Sequence, residues 1–176
     1  RQLSQLMKNP GNGTRGKIGI PMVLNMYELL PFWHAFFTSL GFQVIVSPFS
    51  NRKLYQAGQG SIPSDTVCFP AKLTHGHIMA LLKKDVDAIF YPCMSYNIDE
   101  GLGDNHYNCP VVAYYPEVLA GNIRELEDTK FIYEYLNLEQ RKDFVRLMPK
   151  IMQKYYPDLK TSDIHNAIEV AYTAYR

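Results

Sequence analysis

Apolar residues along this chain fall into short runs that alternate with stretches of helical spacing. Residues 17–24 (KIGIPMVL) are almost continuously apolar and partly β-branched, the pattern of a buried strand. Pro21 cannot donate to a ladder, so it marks that strand's end or an edge. Pro31 suits the first turn of a helix, where its missing N–H is not needed. Trp33, Phe36, Phe37 and Leu40 then recur at i, i+3, i+4 and i+7 on one face, and Gly41 supplies the stop. Residues 42–47 (FQVIVS) read as a second strand. Ser50 can cap a short helix over 51–57, ended by Gly58 and Gly60. Pro70 opens a helix to about Lys84 with Ala71, Thr74, Ile78, Leu81 and Leu82 on its core face. Residues 86–91, 111–115 and 130–135 read as a third, fourth and fifth strand. The tail is helical over 138–156, bent by Pro149, and again over 162–175.

Strand–helix–strand alternation with short links implies parallel crossovers, hence a doubly wound α/β fold of the flavodoxin or Rossmann kind. Its parallel sheet has four to five strands, followed by C-terminal helices. Residues 17–136 form the α/β domain, residues 1–16 a flexible polar leader, and residues 137–176 a C-terminal helical segment. The chain opens on Arg1 and stops inside a helical pattern, which reads as a piece of a longer protein. In doubly wound layers ligands bind beyond the carboxyl ends of the strands. The loops 25–30, 47–50, 92–110 and 116–122 are therefore where chemistry is expected, with Asn25, Tyr27 and Glu28 outlining a candidate ligand crevice.

Charge and composition narrow the function. Eighteen Lys and Arg against 17 Asp and Glu leave a formal charge of +1, which gives no electrostatic reason to bind nucleic acid or anionic lipid. Charged residues at 20% and hydrophobic ones at 47% fit a folded core rather than a disordered chain. The 13 Tyr, 9 Phe and 1 Trp make much of that core aromatic. The most apolar stretch, 19–48, is broken by Asn25, Glu28, Pro31, His34 and Gln43, so nothing reads as a membrane span. With no secretory signal and three cysteines that cannot all pair, a reduced cytoplasmic setting is expected.

Gly11, Gly13 and Gly16 spell GxGxxG, and Gly16-Lys17 completes most of a P-loop. Both motifs need the glycines after a strand and at a helix N-terminus. Here they precede a strand, and Ile18 stands where a P-loop needs Ser or Thr, so they read as turn residues. Cys68, Cys93 and Cys109 are each beside proline or at a strand end, 25 and 16 residues apart, with no CxxC spacing. In a doubly wound layer they could meet at one sheet edge, where three thiolates suit an iron–sulfur cluster with one open iron. Spacing alone favours three separate buried cysteines, which behave as small hydrophobes. His75 and His77, at i and i+2, point to different faces and cannot chelate one ion. Lys72, His75 and Met79 share the face away from the expected core and read as solvated. Asp65 and the Asp99-Glu100 pair fit turn chemistry. Residues 93–109 form a long loop with a cysteine at each end, a common signature of functional loops.

Several runs are familiar together: Gly19-Ile-Pro21, Tyr27-Glu28 with Pro31-Phe-Trp33, Leu40-Gly-Phe42, Cys68-Phe-Pro-Ala-Lys72, His75-Gly-His77, Val86-Asp87, and Asn108-Cys-Pro110 through Tyr115-Pro-Glu117. Over about residues 17–122 the chain resembles the uncharacterised domain of the 2-hydroxyglutaryl-CoA dehydratase activators (CoA-substrate-specific enzyme activases). That domain is itself similar to dehydratase and benzoyl-CoA reductase subunits. The resemblance implies flavodoxin-like layers and a 4Fe–4S cluster held by three cysteines. An ATP-driven activator feeds this cluster one low-potential electron for delivery to a CoA thioester. Cys68, Cys93 and Cys109 would be the ligands, with water or a substrate oxygen on the open iron. Lys72, His75 and His77 would tune the cluster by charge and hydrogen bonding. The expected partners are ATPase activase domains of the same or another protein and a CoA-thioester substrate, with neither nucleic acid nor membrane. No activase ATP site is present, and the chain is much shorter than a dehydratase subunit. No catalytic residue is therefore assigned and the fragment alone is expected to be inactive. The alternatives are a non-catalytic interaction module docking an ATPase or dehydratase partner, and a small-molecule binding domain using the crevice near Asn25–Glu28.

Overall fold

In a computed structural model that describes residues 2–176, with side chains from Ser4 onward, the apolar runs pair in parallel. The strands are β1 (Lys17–Ile20), β2 (Gln43–Val46), β3 (Ala88–Phe90) and β4 (Lys130–Ile132). They make a four-stranded sheet in the order β2-β1-β3-β4 among the described residues. Helices α1 (Gln2–Lys8), α2 (Met26–Ser39), α3 (Arg52–Gly58), α4 (Phe69–Leu82), α5 (Pro110–Asn122), α6 (Arg141–Tyr155) and α7 (Thr161–Tyr175) complete it. The winding direction reverses between β1 and β3, so the crevice of this doubly wound layer lies beyond those two carboxyl ends.

Helix α2 packs against α7, and α7 against α6, while α4 packs against both α3 and α5. The first group is cemented by aromatic edges. Trp33 meets Phe90 at 4.5 Å between centroids, Phe37 meets Phe90 at 4.9 Å, and Phe32 meets Tyr172 at 5.0 Å. The i, i+3, i+4, i+7 face read from the sequence is this buried face. The helix begins at Met26, however, so Pro31 lies inside α2 rather than in its first turn.

Three other expectations change. Residues 111–115 are not a strand but part of α5. Pro110, locked near helical φ, opens the helix, and Ala113, Tyr115 and Leu119 bury one face. A short apolar run carries no period that separates a buried strand from a buried helix. The strand expected fifth is therefore β4. The cap of α3 is Asn51, whose Oδ1 accepts from Leu54 N–H at 2.9 Å, not Ser50. Within the polar leader, residues 2–8 form α1 and the following turn is laced to the sheet; Arg1 lies outside the described residues. Gly11, Gly13 and Gly16 take positive φ in that turn, ahead of β1, and form no phosphate loop at a helix start.

The two edges of the sheet are finished differently. On β2, Val44 N–H donates to the Pro10 carbonyl at 2.7 Å and Lys84 Nζ donates to the Val46 carbonyl at 2.9 Å. On β4, the backbone of even-numbered residues faces β3, as in Tyr91 N–H to Ile132 C=O and Cys93 N–H to Glu134 C=O, and the odd-numbered backbone faces outward.

The tightest approach at any glycine among the described residues is between α3 and α4. A Cβ added to Gly76 would stand 2.0 Å from the Leu54 carbonyl oxygen, and one added to Gly58 would stand 2.2 Å from the Gly76 nitrogen. Only hydrogen fits at either position. Gly76→Ala should therefore cost on the order of 1–3 kcal/mol, the range of overpacked cores, read as a lower denaturant midpoint at unchanged slope. Gly121→Ala, where an added Cβ meets nothing within 4 Å, should be neutral or stabilising in the same measurement.

Candidate functional site

All three cysteines lie at the carboxyl end of the sheet. Cys68 is the N-cap residue of α4 and Cys109 that of α5, and both are exposed. Val67 and Pro110, their chain neighbours, line one shallow pocket of about 320 Å³ together with Pro63, Val111, Tyr114 and Val118. Cys93 follows β3 and is buried. Its thiol faces the backbone amide of Glu117, eight residues along α5 from Cys109, which is about 12 Å of helix rise. Burial first, then the Glu117 and Glu134 carboxylates, push this thiol up to about 11, so it stays protonated. Among the described residues no group of three or more His, Cys, Asp or Glu side chains is placed to hold a metal ion. The donor chemistry suits a cluster, but in this conformation the three thiols do not close around one.

His75, expected to be solvated, is instead fully buried, and so is His77, on opposite sides of the Gly76 contact. The His77 ring sits between two serines, with Nδ1 2.6 Å from Ser47 Oγ and Nε2 2.9 Å from Ser50 Oγ. Ser47 Oγ also accepts from Met22 N–H at 2.7 Å, tying α4 to the ends of β1 and β2. The His75 ring runs from Ser61 to Tyr115. Ser61 donates its only hydroxyl hydrogen to the Gly58 carbonyl at 3.0 Å, so it accepts from His75 Nδ1–H at 2.8 Å. Nε2 is then an acceptor, and Tyr115 donates to it at 2.7 Å. Burial holds both imidazoles down at about 4, and it raises the Tyr115 phenol to about 12 with help from nearby Cys68. Tyr115 is also part of the pocket wall beside Cys68. Ser47 and Ser61 carry no motif; Ser50 reads only as a helix cap and Tyr115 only as part of its apolar run and of Tyr115-Pro-Glu117, so no spacing links any of them to the histidines.

A family model described as a CoA enzyme activase uncharacterised domain matches residues 17–176. The chain belongs to that family. No curated protein and no solved structure matches it.

In this activase domain the remaining expected residues are scattered. Lys72 donates from Nζ to the Asp65 carbonyl at 2.8 Å, pinning the loop before Cys68. Of Asn25, Tyr27 and Glu28, Glu28 lines a groove of about 260 Å³ with the loop at 97–107 and Tyr175. Asn25 is buried, with Nδ2 3.8 Å from Met94 Sδ and its Oδ1 unpartnered. The Tyr91 hydroxyl, fully buried near Cys93 and Tyr115, is also unpartnered. No helix among the described residues is long and apolar enough to cross a membrane.

Two outcomes follow for the activase domain. In the native protein a thiol reagent should modify Cys68 and Cys109 quickly, and Cys93 only after unfolding, as read by mass mapping of labelled peptides. For the histidines, the folded value of about 4 lies below the ordinary 6.5, so the unfolded chain binds more protons between them. Their contribution to stability is complete above about pH 6.5, falls as pH drops toward 4, and levels off below it. Urea midpoints across that window should show the fall, and His77→Gln should make it shallower while His75 keeps its share.

Proposed function

We propose that this domain serves low-potential electron transfer to CoA thioesters in a CoA enzyme activase by contacting a 4Fe–4S cluster with its rim thiols, Cys68 and Cys109. It does not enclose the cluster alone. The observation that carries the reading is the placement of two exposed cysteines as caps of adjacent, packed helices, with their chain neighbours lining one pocket. Such a cluster, when bound, supplies one-electron chemistry. The chain's own residues orient the thiols. Tyr115, held by buried His75, fixes α5 against α4, and Lys72 fixes the loop that leads into Cys68. The amino ends of α4 and α5, with their partial positive charge, favour the negative charge that thiolate ligation gathers there. ATPase activase domains are the partner class this reading implies, with Cys93 a structural thiol behind the rim.

A second reading is a docking module for an ATPase or dehydratase partner that binds no cluster. It is favoured by the apolar walls of the same pocket, Pro63, Val67, Val111, Tyr114 and Val118. Anaerobic reconstitution with iron, sulfide and a free dithiol to complete the ligand set separates the two. The expected result is iron uptake with broad thiolate-to-iron absorbance, lost in Cys68→Ser and in Cys109→Ser and retained in Cys93→Ser. Iron uptake no greater than that of the Cys68→Ser/Cys109→Ser double variant would leave the docking module standing. Uptake that depends on Cys93 would overturn the rim arrangement.

A further inference from the structure

The hydrogen bonds around His77 end on an exposed hydroxyl. Ser47, 1% exposed, accepts Met22 N–H at its oxygen, and its own hydrogen meets no acceptor among the described residues except His77 Nδ1 at 2.6 Å. Burial holds the imidazole neutral, so its one N–H is at Nε2 and donates to Ser50 Oγ at 2.9 Å. The hydroxyl hydrogen of Ser50 is left unspent, and Ser50 is exposed. With Asn51, Arg52, Tyr55, Phe69 and Leu73 it lines an open pocket of about 290 Å³, at the small end of the range for ligand sites. Asn51 is fully used: Oδ1 accepts from Leu54 N–H at 2.9 Å and Nδ2 donates to the Phe49 carbonyl at 3.2 Å. The Tyr55 hydroxyl and the Arg52 guanidinium, by contrast, take no hydrogen-bond or ion-pair partner among the described residues. No Asp or Glu lines the pocket. Its walls are Leu73 and the rings of Tyr55 and Phe69, whose centroids lie 5.2 Å apart, and Phe69 is 57% exposed.

We propose that this pocket binds a small aromatic oxyanion, a planar ring carrying a phosphate or carboxylate group. Every polar side-chain group left unspent there is a donor and one of them is a cation, so the complementary ligand is rich in acceptors and negatively charged. The oxyanion takes the Arg52 guanidinium through the forked, charge-assisted bonds that carboxylate and phosphate share, and the Ser50 hydroxyl donates beside it. The ring lies against Phe69 and Tyr55, where offset or edge contacts between aromatic faces add to the apolar area covered. His77 holds the Ser50 oxygen in place from beneath, so this donor is ordered before a ligand arrives. The pocket shares no lining residue with the one beside Cys68 and Cys109, and its occupancy is independent of any cluster.

Titration calorimetry of the 176-residue chain with phenyl phosphate and, separately, with phenylacetate tests this and tells the two head groups apart. The expected result is one saturable site per chain for at least one of them. Inorganic phosphate and benzyl alcohol, each carrying half of the ligand chemistry, should bind at least about tenfold more weakly. Arg52→Gln, at an exposed position without a structural partner, should weaken binding about tenfold or more with circular dichroism unchanged. Ser50→Ala should weaken it as well; because that variant also strips His77 of an acceptor, Ser50→Thr, which keeps the hydroxyl, should restore binding. The absence of saturable heat with either aromatic anion overturns the inference. So does binding indifferent to Arg52→Gln, or inorganic phosphate bound as tightly as phenyl phosphate, which would reduce the site to a surface charge.

Discussion

The separation of α3 and α4 is the constraint on which the rest of the carboxyl edge depends. Gly58 and Gly76 let the two backbones meet with no side chain between them, and the histidines on either side of Gly76 are buried as a result. A buried imidazole needs partners for both nitrogens, and the close approach provides them. Ser61 comes from the end of α3, Ser47 and Ser50 from the end of β2, and Tyr115 from α5. One three-residue sequence thereby ties α4 to β2 on one side and to α5 on the other. The amino ends of α4 and α5, each capped by a cysteine, take their relative position from those bonds.

The three thiols divide by environment rather than by sequence context. All stand beside proline or at a strand end, yet two face solvent at helix starts and one is enclosed between β3, α5 and the carboxylates of Glu117 and Glu134. Glu134 is itself drawn to Lys154 and the Tyr155 hydroxyl, at 2.7 and 2.8 Å. That holds its carboxylate ionised near Cys93 despite partial burial. A neutral thiol is what such a setting favours. The edge is graded, from solvent-facing thiols at its rim to an enclosed, protonated one beneath.

Strands and amphipathic helices were legible where residue pattern and burial coincide. β1, β2, β3 and the aromatic face of α2 follow from apolar runs and from Trp33, Phe36 and Phe37. The start of α5 was not legible, because Val111-Val-Ala-Tyr-Tyr115 is β-branched and aromatic as a strand would be. Its helical state is set by Pro110 and by packing on α4, both of which override propensity. Cysteine positions at the carboxyl edge followed from the winding rule, but the turn of Cys93 toward Glu117 belongs to side-chain packing and leaves no trace in spacing. The burial of His75 was missed for a similar reason. A polar residue between apolar ones signals exposure unless distant hydroxyls such as Ser61 and Tyr115 are known to be waiting for it.

The unlike treatment of the sheet's two margins has a consequence for how copies of this chain can accumulate. A strand with both flanks bare propagates head to tail without end, the route to fibres and precipitates. Here the β2 flank is already sealed by Pro10 and the Lys84 ammonium, and β4 is only three residues long and opens on Lys130, so association through strands finds no long bare side. The sequence around Pro10 thereby acts as a guard against runaway polymerisation.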